Sequence, residues 1–385
     1  MKTKINLALI GITALGLSAC LTSNESSDST ATISSVVETS SSSNQTLLSE
    51  DNSSSEAIKT SSGTDLSSSS DTQMSSITSN TPSTRVVGYI PLYRDQDDMF
   101  SKIDFSATTH VNISFVNPDD KDGGFLGFTY GGQWTAFKKH HSSLIDKNIK
   151  VLASIGGGGT GHKENYLHLM KDENKTAFIS KLMDFAREEK LDGIDVDLEG
   201  DLVNTALYNP FVLELADSVK AQGLLYTAAV ASWNGDKISK ASLDSYDFIN
   251  LMAYDETGPW SPTKIINHST IEFAQKDLAY WSVKRGVAKE KIVLGVPFYG
   301  YKFTSSGVSA FTWDQYLTKF PANIEDDQVG TENTTEGIWF LNGRKTMKEK
   351  VLLGNTYGGI MIWELGQDTY DDTSLMQVVI DNIKQ

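Results

Sequence analysis

The 385-residue sequence predicts an α/β fold, a single (β/α)8 barrel, behind an N-terminal leader and a serine-rich tether. Two observations carry that expectation. First, eight short apolar, β-branched segments alternate with amphipathic helical patterns over about 300 residues, the pattern of a closed parallel sheet wrapped in helices. Second, the densest cluster of acidic residues falls where one of those segments ends, and a barrel builds its site at the C-terminal strand ends. A doubly wound open sheet is the alternative arrangement of the same segments.

Taken in order, residues 1–20 read as an export leader. Lys2 and Lys4 precede a short apolar run, Ile5 to Leu17, too short to span a bilayer. The run ends Leu17-Ser18-Ala19-Cys20, which resembles the box of bacterial lipoproteins. That resemblance implies lipidation of Cys20, the chain's single cysteine, and anchorage to a membrane at the cell surface or in the periplasm. A plain secretory leader with a chance cysteine is the other reading. With one cysteine the chain forms no internal disulfide.

Residues 21–84 hold 24 serines and few large apolar side chains. Too little surface could be buried there to offset chain entropy, so this stretch is expected to be a disordered, flexible tether with a reach of about 45 Å.

From Arg85 to Gln385 the composition changes to that of a globular domain. The expected strands are Val86–Tyr93, His110–Val116, Lys150–Gly156, Gly193–Glu199, Leu225–Ala231, Phe248–Tyr254, Ile292–Tyr299 and Gly359–Leu365. Helices are expected at Lys175–Lys190, whose Phe178, Ile179, Leu182, Met183 and Phe185 share one face, and at Tyr208–Gln222 and Ser374–Ile383. Another is expected at Ser269–Arg285, opening on a Ser269-x-x-Glu272 capping box and stopping at Gly286. Between the last two strands, Phe311–Phe320 and Asn342–Leu353 look helical.

The fourth expected strand contains Asp192-Gly193-Ile194-Asp195-Val196-Asp197-Leu198-Glu199-Gly200. Side chains alternate faces along a strand, so Asp195, Asp197 and Glu199 share one face and Ile194, Val196 and Leu198 the other. Three stacked carboxylates repel one another, and burial raises their pKa values. That arrangement sets a protonated acid beside an ionised carboxylate. A solvated acidic strand end fits less well, because apolar residues flank every acid. A calcium loop also fits less well, because Ala206 stands where a bidentate Glu is required. Gly156-x-Gly158-x-x-Gly161 formally matches a dinucleotide fingerprint, but polar residues follow the glycines where a helix should begin.

The acidic stretch matches D-G-x-D-x-D-x-E, and the chain thereby resembles glycoside hydrolase family 18, the chitinase-like family. Gly88-Tyr89, Ser154-Ile155-Gly156-Gly157, Met252-Ala253-Tyr254-Asp255, Gly295 to Gly300 and Gly358 to Glu364 resemble further pieces of that family, in its order. The resemblance implies a retaining hydrolase in which the substrate's own 2-acetamido group attacks the anomeric carbon. It makes Glu199 the general acid and base, Asp197 the partner of the acetamido N–H, Asp195 the group that orients Asp197, and Tyr254 the donor to the acetamido oxygen. Trp363 would floor the reacting sugar. Trp260, Trp233, Gly156 and Gly157 would complete the binding residues, the two glycines packing their loop closely beneath the carboxylates, with Tyr89 and Asp255 as second-tier contacts, while Asp192 would be structural.

The implied partner is a polysaccharide or oligosaccharide of N-acetylglucosamine, hydrolysed without a cofactor. An endo-β-N-acetylglucosaminidase acting on N-glycans shares the carboxylate chemistry, and some relatives bind sugars without cleaving them. No metal site is expected, since no histidines pair at ligand spacing and His140-His141 read as surface. The net charge of −16 argues against nucleic acid, and a monomer is expected. Among the other tryptophans, Trp281 reads as core, Trp134 as a loop residue, and Trp313 and Trp339 as either. Little sequence is left over for an inserted α+β subdomain, so a shallow cleft and endo cleavage are expected.

Overall fold

The computed structural model describes residues 84–124, 131–159 and 161–384. The leader and the tether, Cys20 included, lie outside the described residues. From the first strand onward the chain alternates strand and helix: β1 (Arg85–Pro91), α1 (Gln96–Lys102), β2 (His110–Ser114), α2 (Gly131–Asp146), β3 (Lys150–Gly156), α3 (Lys163–Leu169), α4 (Lys175–Glu188) and β4 (Gly193–Asp197). There follow α5 (Asp201–Asn204), α6 (Tyr208–Ala221), β5 (Leu225–Val230), α7 (Lys240–Ser245), β6 (Phe248–Leu251), α8 (Ile271–Ala279) and β7 (Ile292–Pro297). An excursion then forms β8 (Tyr299–Thr304), β9 (Gly307–Thr312), α9 (Trp313–Lys319), β10 (Gln328–Gly330) and β11 (Ile338–Phe340). The chain returns through α10 (Arg344–Gly354) to β12 (Gly359–Trp363) and ends in α11 (Leu375–Asn382).

Strands β1 to β7 and β12 pair in parallel and close on themselves, β12 lying between β7 and β1. The expected barrel is therefore formed, each strand lying within one or two residues of its expected start. Alternation sorts its side chains into two layers. Ile194, Val196, Ile249 and Leu294 pack outward against the helices in the larger core, with Phe178, Leu182, Phe211 and Trp281. Val87, Tyr89, Phe248, Val293 and Met361 fill the barrel interior. Asp195 occupies an inward position at zero exposure.

Four expectations about elements need correction. The excursion is a four-stranded antiparallel sheet, ordered β10-β11-β8-β9, so an inserted α+β subdomain does exist and the ground for a shallow cleft is gone. Phe311 and Thr312 belong to β9, and the helix there starts at Trp313. Strands β9 and β10 are largely exposed, and β10 and β11 have only three residues each, so they lack the apolar runs by which the barrel strands were found. Helix α8 is capped by Thr270, whose hydroxyl accepts from the Phe273 N–H, while Ser269 turns its hydroxyl to the Ala253 carbonyl. Trp134 sits in α2, buried against Phe137 and Phe185, and is not a loop residue.

Trp281 is fully buried, and Trp313 is buried in α9 with its indole N–H on the Thr373 carbonyl. Trp339 on β11 lies between the ammonium groups of Lys302 and Lys319. His140 pairs with Asp97 at the surface, and Asp192 accepts from Lys150 and the Val151 N–H, a structural role.

Candidate active site

Register explains how Asp195 is held. On β4 it stands opposite Ser154 of β3 and Thr227 of β5. Both hydroxyls donate to it, Ser154 at 2.8 Å to Oδ2 and Thr227 at 2.5 Å to Oδ1. Tyr89 donates its phenol O–H to Oδ2 at 2.7 Å, and Asn250 its amide to Oδ1 at 3.3 Å. Burial pushes Asp195 up, and these four donors oppose it.

Asp197, one alternation further along, is 2 % exposed, and among the described residues its Oδ1 has no hydrogen-bond partner. Burial, and then the charges of Glu199 and Asp195, push it well above the ordinary carboxylate range. Glu199 lies two residues past the end of β4 rather than on it, partly exposed at the mouth. Burial of its carboxyl, and second the charge of Asp255, push it up to about 7. The three acids thus run from the barrel interior to its mouth, each differently solvated. That gradient is what one protonated and one ionised carboxyl require.

Two glycines keep the neighbouring chain close. Gly156 stands beside Asp197 in the ladder with φ +108°, and a Cβ there would fall 2.3 Å from the Asp197 carbonyl. Gly157, at φ +90°, donates its N–H to that carbonyl at 2.6 Å, and a Cβ would strike the Phe115 ring. Only glycine tolerates both constraints. They buttress the acid-bearing chain from beneath the carboxylates, the close packing expected of them.

Tyr254, past the end of β6, is 8 % exposed and touches Met361 Sδ at 3.8 Å. Burial, and then the charge of Asp197, push its phenol well up, so it stays a donor. Asp255 adopts φ +64° and is held by the phenols of Tyr299 at 2.5 Å and Tyr301 at 3.0 Å, with His268 Nδ1 at 3.3 Å.

Trp363 ends β12 beside Tyr89, ring centroids 5.2 Å apart, and stacks on Phe115 at 5.7 Å. Tyr89 itself is 1 % exposed. It is a buried prop for Asp195, one tier behind the mouth. Trp260 packs edge-on to Tyr301 and is 37 % exposed, and Trp233, in a short turn after β5, is 67 % exposed. A depression beside Glu199 is lined by Trp233, Asn234, Ala231 and Met252. A cavity of about 350 Å³ lies apart from the acids, between Lys102, Tyr370, Gln377 and Ile380.

Ser154, Thr227 and Asn250, and the Tyr299–Tyr301–His268 set around Asp255, were not assigned roles from sequence. One signal was available for the first three: each is a polar residue at an inward position of an otherwise apolar strand. In the second set, Tyr299 and Tyr301 reach Asp255 from the inserted sheet and His268 from the loop before α8, and of the three only Tyr299 falls in a stretch marked in the sequence, Gly295 to Gly300.

Comparison with known proteins agrees with this geometry. The family model of glycosyl hydrolases family 18 matches residues 85–368. The crystal structure of the GH18 chitinase ChiB from the chitin utilization locus of Flavobacterium johnsoniae is 37 % identical. It aligns over 78 % of this chain and 94 % of its own, with a TM-score of 0.70. A chitinase structure from Bacteroides thetaiotaomicron is 27 % identical over 77 % and 95 % of the two chains, TM-score 0.65. An endochitinase of Brugia malayi is 28 % identical over 347 residues, 73 % of this chain and 67 % of that protein. The match to the family model, the closed barrel and the barrel-mouth acids together show that the chain belongs to glycosyl hydrolases family 18 and is a chitinase-family glycoside hydrolase.

Proposed function

We propose that this hydrolase cleaves β-1,4 bonds in chitin or chitooligosaccharides with retention, the substrate's acetamido group serving as nucleophile. The observation that carries the reading is Asp197: a buried carboxyl with an unpartnered oxygen, beside an acid held near pH 7. A buried polar atom without a partner is costly. The acetamido N–H of a sugar at the mouth would supply the partner that the protein does not.

The steps follow from that placement. Glu199 gives its proton to the glycosidic oxygen, and the leaving chain departs with that proton. The acetamido oxygen bonds to the anomeric carbon as the glycosidic bond breaks, forming an oxazolinium ion. Asp197 accepts from the acetamido N–H and offsets the developing positive charge. Tyr254 donates to the acetamido oxygen and aligns it for attack. Water then opens the ring, giving its proton back to Glu199. Asp195, with its four donors, holds Asp197 in place, and Trp363 floors the sugar. Trp260 and Trp233 offer exposed ring faces for further sugars.

The leader supports, as part of the same proposal, export and lipid attachment at Cys20; Cys20→Ala should release the protein from membranes in a fractionation assay. For catalysis, Glu199→Gln should abolish turnover of chitooligosaccharides, read by mass spectrometry, while oligosaccharide binding and the melting temperature stay near wild type. Near wild-type turnover would refute the role of Glu199. Products from an N-glycoprotein but not from chitooligosaccharides would refute the substrate class.

A further inference from the structure

The segment that carries Tyr254 and Asp255 leaves the barrel ladder early. Strand β6 ends at Leu251, and the Met252 N–H makes one more bond to β5, on the Val230 carbonyl at 3.0 Å. Beyond it, the main chain is held from one side by His268 and Ser269. The Ser269 hydroxyl donates to the Ala253 carbonyl at 2.7 Å, the Asp255 N–H meets His268 Nδ1 at 3.3 Å, and the Glu256 N–H donates to the His268 carbonyl at 3.0 Å.

His268 and Ser269 are fully buried but lie in no helix or strand, so something must fix them. Lys350, in the middle of α10 and fully buried, does so. Its Nζ donates to the Ser269 carbonyl at 2.5 Å, the Ser269 hydroxyl oxygen at 2.7 Å and Asn342 Oδ1 at 2.7 Å. Asn342 returns a bond to the Ser269 carbonyl at 2.8 Å. An ammonium has three donors, and here each meets a neutral acceptor.

This is an expensive way to fill space. Burial pushes the Lys350 ammonium down to about 7, against the distant pull of Asp327 and Glu272. The other inward residues of α10, Met347 and Val351, are apolar, and an aliphatic residue would pack beside them without desolvating a charge. Packing alone therefore does not account for a lysine. What the lysine adds is direction: it orients both oxygens of Ser269, one of which sits on the residue before Tyr254.

We propose that Lys350 is a positioning residue for Tyr254, acting through Ser269 and the Ala253 carbonyl, so that α10 sets the placement of the phenol at the mouth. The inference rests on Tyr254 acting on the substrate as proposed above. It differs from a packing role because its effect must pass through one side chain.

The test measures kcat and KM on chitohexaose for the full chain and for Lys350→Met, Ser269→Ala, Tyr254→Phe and Lys350→Met/Tyr254→Phe, with melting temperatures alongside. Misplacing a reacting group by a fraction of an ångström should lower kcat roughly ten-fold in Lys350→Met and Ser269→Ala, with KM within about two-fold. In the Tyr254→Phe background, Lys350→Met should cost little further. The proposal is overturned if Lys350→Met and Ser269→Ala keep wild-type kcat, or if the Lys350→Met loss is undiminished on top of Tyr254→Phe. If Lys350→Met does not fold, Ser269→Ala with Ser269→Ala/Tyr254→Phe decides by the same criterion. Wild-type kcat in Tyr254→Phe alone would overturn the role of Tyr254 and with it this inference, whereas an inactive Tyr254→Phe beside an unaffected Lys350→Met overturns the inference only.

Discussion

Asp255→Asn asks how the acid at the mouth keeps its proton. Glu199 stands at about 7 against an ordinary 4.5, raised first by burial and second by the charge of Asp255. As the lesser of two causes, Asp255 supplies less than half of that rise, so at most about one pH unit, or ~1.4 kcal/mol. The sign follows directly. A neighbouring negative charge favours the protonated acid, so removing it lets Glu199 lose its proton at lower pH. Asparagine keeps an oxygen for the phenols of Tyr299 and Tyr301, so the segment should keep its shape. The assay is kcat/KM against pH on a fluorogenic chitooligosaccharide, because that ratio reports groups of the free enzyme. The alkaline limb should fall near pH 7 in the parent and lower, by at most about one pH unit, in the variant. The height of the curve will also drop if Asp255 touches the sugar, but the position of the limb is independent of height. A limb that stays where it is, or moves up, would refute the coupling. Since Asp197 and Glu199 interact, the limb belongs to the two acids together.

Three further outcomes are expected. Gly156→Ala should destabilise the fold by about 3 kcal/mol or more, since the new Cβ collides with the Asp197 carbonyl at a φ alanine avoids; calorimetry showing an unchanged melting temperature would disprove the close packing. Arg94→Met should cost about 3–5 kcal/mol, because it strands the fully buried Glu364, and adding Glu364→Gln should recover part of it in denaturant titrations. Asp277 is pushed up to about 6, mainly by burial, with the Ser232 hydroxyl opposing. It therefore binds its proton more tightly folded than unfolded, and its contribution to stability is present near pH 4 and lost as pH rises through about 6. Asp277→Asn should flatten that part of the stability curve; an unchanged slope would exclude Asp277 as its source.

The corrections share a cause. Barrel strands were legible because they are buried on both faces and so read as continuous apolar runs. The inserted sheet was missed because β9 and β10 are mostly exposed and β10 and β11 have only three residues each, and composition does not distinguish them from loop. Likewise, Ser269 and Thr270 both suit a helix start, and only the neighbouring Ala253 carbonyl and Lys350 decide that Ser269 is engaged elsewhere. Tyr89 and Trp363 look alike as aromatics of barrel strands, yet the first donates to Asp195 and is buried while the second remains partly open at the end of β12.

By itself, the sequence determined the barrel, the order of its strands, and the acids Asp195 and Asp197 that share a face of β4, with Glu199 two residues beyond it. Period-two alternation and apolar runs are local properties, and one strand suffices to align Asp195 and Asp197. Tertiary structure alone decided what surrounds those acids. The four donors to Asp195 come from β1, β3, β5 and β6, the props of Asp255 from the insertion and the loop before α8, and the anchor of the Tyr254 segment from α10. The physical reason is that hydrogen bonding and desolvation act over a few ångströms in space, and closing the barrel brings together residues far apart in the chain.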